Sequence, residues 1–417
     1  MNKLPLLIPA FLLLAATEWW FSRKKNPNYV TGQNTALNMA IGAIDQLVSI
    51  ANFALFVWIL KLTYDNVRLF TLGNSWYVWV LAYVAVDFVS YWYHRFSHRI
   101  ALLWCGHVTH HSSDHFNLTN GFRTSPFQGL NRIPFWIILP VLGFSPQMLF
   151  TVFVISGLYD FFLHTENFPK MRWLETVFVT PSLHRVHHGK NDIYIDKNYG
   201  STFSFWDRMF GTYQEETEKV EYGILSKDYV DGDPVDAIFH HYEYLWKLML
   251  STKSWKNRVK VLFMPPDYKP EDSELQLEAS DYADPHNRRQ FQYGLGLFIF
   301  SSLGILATLV VEPLLSIWTF MYFAFFAASG MVVGVRIFHY RIGDHFRRNE
   351  MFRHLLLAML GAMLIYFEPA YYGVLLIGCS FSMILAAVFW VLSDPVEQLT
   401  EFHRQAMMRQ KDQLGEK

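Results

Sequence analysis

The sequence is short of cysteine and of charge. Cys105 and Cys379 are the only two thiols, which excludes a disulfide framework and any paired-cysteine metal or redox motif. Charged residues make up 17% of the chain, against about 25% in an average soluble protein. A formal net charge of -1 and the lack of a polybasic tail give no reason to expect nucleic acid or a peripheral electrostatic anchor. The polar middle of the chain has neither an internal repeat nor a low-complexity tract.

Apolar and aromatic residues are what the chain has in abundance. They reach 52% and 18% of 417 residues, so membrane spans are the first reading. Runs of spanning length lie near Leu4 to Phe21, Ala40 to Leu62 and Trp76 to Tyr93. The run Ile133 to His164 is too long for one helix and is interrupted by Pro140, Gly143 and Pro146, so it reads as two short helices that dip in and return. Four more runs follow the polar section, near Phe291 to Val311, Leu314 to Arg336, Leu355 to Phe367 and Tyr371 to Leu392. The first run resembles a signal peptide, but its length and the Arg23-Lys24-Lys25 flank favour an uncleaved span.

Cations orient the chain, because Lys and Arg collect in short cytoplasmic loops. Placing Arg23, Lys24 and Lys25 inside, together with Arg336, Arg341, Arg347, Arg348 and Arg353, satisfies every loop. The expected fold is therefore an all-α polytopic membrane protein with about nine membrane-embedded helices and an outside N-terminus. Its segments are 1–75 (N-terminal spans), 76–265 (a histidine-rich domain), 266–290 (linker), 291–395 (C-terminal spans) and 396–417 (cytoplasmic tail).

Three histidine runs carry the chemistry. His94-Arg95-Phe96-Ser97-His98, His107-Val108-Thr109-His110-His111 and His184-Arg185-Val186-His187-His188 hold eight of the 17 histidines. On a helix, residues three and four apart share a face, so each run is expected to aim all its imidazoles one way. That is metal-ligand spacing, and eight histidines are too many for one tetrahedral ion, which needs four ligands. Two metals are the economical answer. Imidazole alone does not choose between Zn, Cu, Fe and Ni. Hydrolytic two-zinc sites usually add bridging carboxylates, whereas here only Asp114 is near, so iron and dioxygen are favoured over hydrolysis.

Around the runs, His164 ends an apolar segment at the same face and reads as a further ligand. Asp160, one helical turn earlier, is placed to ligate or to hydrogen-bond an imidazole. His115 is either a surface residue or a near-site group. Asp87, deep in the third run, either orients a histidine or substrate group or pairs with another polar side chain. Thr180-Pro181 marks a helix start just before His184, and Phe203, Trp206 and Phe210 before Gly211 suggest an amphipathic helix on the membrane or against the spans.

The runs, in this order and between these spans, resemble the HxxxH, HxxHH and HxxHH boxes of the membrane fatty acid hydroxylase and sterol desaturase superfamily. The segments His107 to Asp114, His164-Thr165-Glu166, His184 to Asn191, Ile195 to Gly200 and Trp206 to Thr212 resemble its alkylglycerol-cleaving branch. The resemblance implies a diiron centre on His94, His98, His107, His110, His111, His184, His187 and His188, with His164 added. It implies insertion of one oxygen atom from O2 into a lipid C-H bond, next to the ether oxygen of an alkylglycerol. The hemiacetal so formed collapses to fatty aldehyde and glycerol, with tetrahydrobiopterin as reductant.

Two departures single out Asp114 and Asp160 as candidate catalytic carboxylates. Asp114 stands where that branch has Glu, and Asp160 where several superfamily members have His. The metal face is expected on the cytoplasmic side of a bacterial inner membrane or the endoplasmic reticulum. Hydroxylation or desaturation of a fatty acyl, sterol or carotenoid substrate is the alternative enzyme reading. A metal transporter or a lipid-binding relative is the alternative outside enzymes, and histidines gathered at one face argue against transport.

Overall fold

The computed structural model describes residues 8–23, 29–226, 229, 231–276, 288–311, 314–339 and 344–385. Among them the regular structure is helical, with only two isolated β-bridges, Phe178 with Phe203 and Thr252 with Ser273. The start of the first expected span, Lys24, Lys25, Arg341, residues 277–287 of the linker, the end of the last span and the tail 396–417 lie outside the described residues. The chain divides into two units, Lys3–Ser280 and Asp281–Lys417.

In the first unit, α1 (Ile8–Ser22), α2 (Gly32–Val67) and α3 (Trp76–Arg99) follow the first three apolar runs. Thr31 caps α2 by accepting from the Asn34 amide at 3.2 Å. This helix has 36 residues, about 54 Å at the usual rise, far beyond the run that marked it. It bends by 45° between Gly32–Ser49 and Asn52–Val67. Asn34, Asn38 and Asp45 before the bend are buried against protein. The extra length therefore serves the polar part of the fold.

The apolar run after Ile133 breaks where expected, but into unequal pieces. α6 (Gln128–Trp136) and α7 (Ile138–Val141) are short, while α8 (Pro146–Leu163) has a full 18 residues. Ser145 accepts from the Met148 amide at 3.3 Å and Pro146 sits at the first turn, the best start signals for a helix. Nothing after them interrupts the run. Gly143 makes the reversal with φ of 97°. A Cβ there would lie 2.2 Å from the Phe70 carbonyl oxygen, so only glycine fits.

These helices share one core, in which Phe56, Leu60, Ala82, Val86, Tyr93, Trp136, Leu139, Leu149 and Val152 are buried. Their outer faces show Trp58, Val80, Leu81, Phe150 and Ile155 to the surroundings. Beyond α3 the chain forms α4 (Ala101–Cys105), α5 (Val108–His111), α9 (Pro181–His187) and α10 (Phe205–Phe210). Two further helices, α11 (Pro234–Ser251) and α12 (Trp255–Phe263), pack Leu245, Leu248 and Val261 onto Ala101 and Cys105. The expected amphipathic helix is α10, one residue short of Gly211 and without Phe203. It lies against α3, with Trp206 4.9 Å from Phe88 and Phe210 4.9 Å from Trp92.

The second unit holds α13 (Arg288–Val311), α14 (Ile317–His339), α15 (Asp344–Phe367) and α16 (Pro369–Leu385). Its core gathers Tyr322, Phe326, Leu357 and Leu375. Gly294 and Gly334 let α13 and α14 approach closely: a Cβ on Gly334 would stand 2.9 Å from the Gly294 carbonyl oxygen.

By length and composition, three described helices can cross a membrane: Pro146–Leu163, Ile317–Ile337 and Asn349–Phe367. The bent α2 makes up to four. This is fewer than the expected nine. α3 is absent from the set because it carries Asp87 at its middle and His94, Arg95, His98 and Arg99 in its last third, and α6 with α7 are too short.

Candidate metal centre

Each histidine run is held by a different element. His94 and His98 lie one turn apart at the end of α3, which stops at Ile100, where the backbone is extended. The second run forms α5 with His107 as its cap, and the third forms α9, where Thr180 accepts from the Leu183 amide at 3.5 Å and Pro181 opens the first turn. His164 caps the end of α8.

These elements bring nine imidazoles into two groups. His94, His98, His107, His111 and His187 form one, and His110, His164, His184 and His188 form the other; within each group the ligating nitrogens lie within 4.8 Å of one another. The expectation that each run aims all its histidines one way is corrected here. At 100° per residue, position i+4 lies about 40° past position i and position i+3 about 60° before it, so a run of HxxHH splays. His107 and His111 enter the first group while His110 enters the second; His184 and His188 enter the second while His187 enters the first. The two runs thus exchange their middle histidines.

The imidazole nitrogens lie close together. In the first group Nε2 of His111 is 3.1 Å from that of His107 and 3.2 Å from that of His187. In the second, Nε2 of His164 is 3.2 Å from that of His110 and 3.0 Å from that of His184, itself 3.2 Å from that of His188. Around an ion with metal–nitrogen bonds of about 2.1 Å, neighbours at right angles are about 3.0 Å apart and tetrahedral neighbours about 3.4 Å. The spacing suits five or six ligands better than four.

Backbone carbonyls set the tautomers. Nδ1 of His94 donates to Tyr199 O at 2.9 Å, His110 to Arg123 O at 3.2 Å, His164 to Asp160 O at 2.8 Å and His187 to Lys197 O at 2.9 Å. A neutral ring with its proton on Nδ1 has a lone pair on Nε2. Hence His110 and His164 point lone pairs at each other across 3.2 Å, an arrangement that calls for a cation between them. Nε2 of His94 and of His98 is buried with no hydrogen-bond partner, as a nitrogen reserved for a metal would be. Burial holds His107, His110, His111, His184, His187 and His188 well below the ordinary histidine range, so they are neutral donors near pH 7.

Two aromatic rings wall the groups. Trp104 lies 4.9 Å from His98 and 5.4 Å from His111. Phe116 lies 5.1 Å from His188 and 5.5 Å from His164, and stacks on Tyr222 at 5.0 Å. Each group is thereby shielded from water on one side.

The acidic residues singled out in the sequence stand outside both groups. Asp160 accepts from Ser201 Oγ at 2.7 Å, and it is its peptide oxygen that orients His164. Asp114 faces Gly223, whose added Cβ would meet its carboxylate, with Lys190 close by. Burial and the neighbouring Asp231 raise the Asp114 carboxyl above the ordinary range. His115 belongs to neither group. Asp87 touches no histidine: it accepts from Thr202 N at 2.8 Å, Phe203 N at 3.2 Å and Trp206 Nε1 at 2.9 Å. It ties the chain after the third run onto α3.

Several residues of the site escape the sequence. Asp207 accepts from the amides of Tyr199 at 2.7 Å and Gly200 at 2.9 Å, fixing the turn whose carbonyl orients His94. Asp196 and Asn198 flank Lys197 with φ of 61° and 53°, a left-handed backbone that Asp and Asn tolerate, and this aims the Lys197 carbonyl at His187. Asn38 on α2 donates to Thr119 Oγ1 at 2.9 Å and Asn120 Oδ1 at 3.2 Å. Glu18 on α1 accepts from the Leu118 amide at 2.7 Å. The first two helices thus brace the loop after the second run. An Asn-x-x-x-Asn pair on one helix face, as at Asn34 and Asn38, was the available signal.

Comparison with known proteins adds an independent line. Residues 79–212 match the fatty acid hydroxylase family. Alkylglycerol monooxygenase of Homo sapiens is 35% identical over 269 residues, 63% of this chain and 58% of that protein. Its Danio rerio counterpart is 37% identical over 218 residues, 52% and 47% of the two chains. An ornithine lipid hydroxylase of Rhizobium tropici is 28% identical over 151 residues, 36% and 46%. The matches span about half the length of these relatives. No solved structure gives a significant match.

Proposed function

We propose that this chain, a member of the fatty acid hydroxylase family through residues 79–212, is an O2-dependent lipid monooxygenase with two iron ions held by its nine clustered histidines. The observation that carries the reading is the division of those histidines into groups of five and four without a carboxylate. A donor set of neutral imidazoles at right-angle spacing fits iron better than tetrahedral zinc. Iron, when bound, supplies the redox chemistry by which dioxygen is activated; the protein supplies ligation, orientation and exclusion of water.

Each contribution has its residues. His94, His98, His107, His111 and His187 hold one ion; His110, His164, His184 and His188 hold the other. Carbonyl acceptors at Tyr199, Arg123, Asp160 and Lys197 keep the rings turned inward. Trp104 and Phe116 keep water from the rings. Asp160, half-buried on α8 with one oxygen held by Ser201, offers its other oxygen to a hydroxyl of the lipid head. Asp114, the other candidate catalytic carboxylate, stands near the second run, its carboxyl raised above the ordinary range by burial and by Asp231.

The substrate we assign is an alkylglycerol, on the strength of the alkylglycerol monooxygenases among the relatives. Hydroxylation of the carbon next to the ether oxygen consumes O2 and two reducing equivalents and releases water. The hemiacetal then splits into fatty aldehyde and glycerol. Tetrahydrobiopterin is the proposed reductant. The protein sits in the bilayer through about nine membrane-embedded helices, with the histidines on the cytoplasmic face.

Membranes containing the protein, given labelled alkylglycerol, O2 and tetrahydrobiopterin, should release labelled aldehyde. Purified protein should carry about two irons per chain. Stable zinc without iron would sink the reading. Hydroxylation of a fatty acyl or sterol control without attack on the ether would move the substrate assignment while keeping the chemistry.

A further inference from the structure

We infer that Arg123 and Asp231 form a positioning pair that sets His110, and through it the group of four histidines, for metal binding. The inference rests on the two-metal reading. It begins with α5, which has four residues, too few to hold a helical shape unaided. Its histidines face two directions, so its orientation has to be imposed from outside.

Arg123 imposes it at three points. The Arg123 carbonyl accepts from His110 Nδ1 at 3.2 Å. Its side chain turns back, and Nε donates to Thr109 O at 2.9 Å while Nη2 donates to Ser112 Oγ at 2.6 Å. One residue therefore grips the peptide before His110, the ring of His110 and the residue after His111. His107 and His111 have other support, from Gln128 at 3.2 Å and from the Thr109 hydroxyl bond to Ala237 O at 2.9 Å. The grip is concentrated on His110.

The guanidinium that does this is fully buried, with 0% of its side chain exposed. A buried cation persists only when paired and hydrogen-bonded. Asp231 supplies the charge, with oxygens at 2.5 Å and 3.3 Å, and Asn38 Oδ1 at 3.0 Å and Tyr229 Oη at 3.1 Å complete the shell. Asp231 touches no histidine in either group. Its removal leaves the arginine uncompensated, so the clamp opens and His110 is released. Three histidines then remain in the group of four.

The test uses the full-length protein in detergent micelles, stripped of metal and titrated with Co(II). Visible absorption and equilibrium dialysis count the ions, and thermal unfolding of the metal-free form is followed in parallel. Wild type should take two ions. Asp231→Asn should take the first as wild type does and bind the second about tenfold or more weakly, and Asp231→Glu should restore most of that loss. Tyr229→Phe, a milder change in the same shell, keeps the test open if Asp231→Asn does not fold; it should weaken the second ion only. Two ions bound by the variants as tightly as by wild type, or both ions weakened alike, overturns the pair's role. A wild-type protein that takes up no Co(II) overturns the two-metal reading instead, and the positioning role with it.

Discussion

His110 and His111 are consecutive residues whose rings stand 5.5 Å apart and 88° to each other, and they belong to different imidazole groups. Residues 187 and 188 repeat this relationship at the third run. The peptide bonds at these two places are the shortest covalent links between the groups.

Replacing either neighbour should therefore strip a different site. His110→Ala and His111→Ala should each lower iron from about two to about one per chain and abolish aldehyde formation. Mössbauer spectra of the two variants should retain different iron signals. The same signal surviving in both would show that the groups are not separate sites.

Removing metal should be reversible with iron alone. Chelation should abolish turnover; Fe(II) should restore it, while Zn(II) should bind without restoring it. The nitrogens of the second group, 3.0 to 3.2 Å apart, stand closer than the about 3.4 Å that a tetrahedral zinc shell would set. Recovery with Zn(II) would point to hydrolysis instead.

The histidines were legible because helical spacing is local information. All eight of the runs, and His164 at the end of its apolar segment, lie in the two groups. Their division was also present in the 100° step of the helix, although the runs were read as single-faced. What could not be read is the support, because it joins residues far apart in the chain. Arg123 and Asp231 are 108 positions apart, and Asn38 and Asn120 are 82 apart. Asp87 stood out as a polar residue in an apolar run, yet its partners, Thr202, Phe203 and Trp206, follow the third run rather than belonging to it. The helices α1 to α3 were legible as apolar runs, while the length of α2 was not, since its polar first half has partners only in the folded chain.

Asp87 gives a third expectation. Asp87→Leu leaves two backbone amides and one indole N–H without acceptors in a buried place, which should cost about 3 kcal/mol or more. The thermal midpoint of the metal-free protein should fall, and iron should be lost from the group containing His94, whose carbonyl partner Tyr199 lies on the same segment. An unchanged midpoint would mean that water replaces the carboxylate.

Asn198 gives a fourth. Its side chain donates to Leu183 O at 3.1 Å and Gln214 O at 2.8 Å and accepts from the Gln214 amide at 2.8 Å. Asn198→Val loses these bonds and forces a branched side chain into a left-handed backbone, at about 2–4 kcal/mol. Asn198→Gly relieves the backbone and loses only the bonds, so it should be the more stable of the two. Urea unfolding of both variants decides; the reverse order would remove the conformational argument.

The carbonyls of Tyr199, Arg123, Asp160 and Lys197 that receive the imidazole protons belong to the main chain, so no substitution at those positions deletes the acceptor. At Tyr199, Asp160 and Lys197 the orientation of the ligand is encoded in the path of the polypeptide and not in residue identity, whereas Arg123 also acts through its side chain. Side chains at Tyr199 and Lys197 are free to diverge while the rings stay aimed, and a change of aim there requires rerouting the loop.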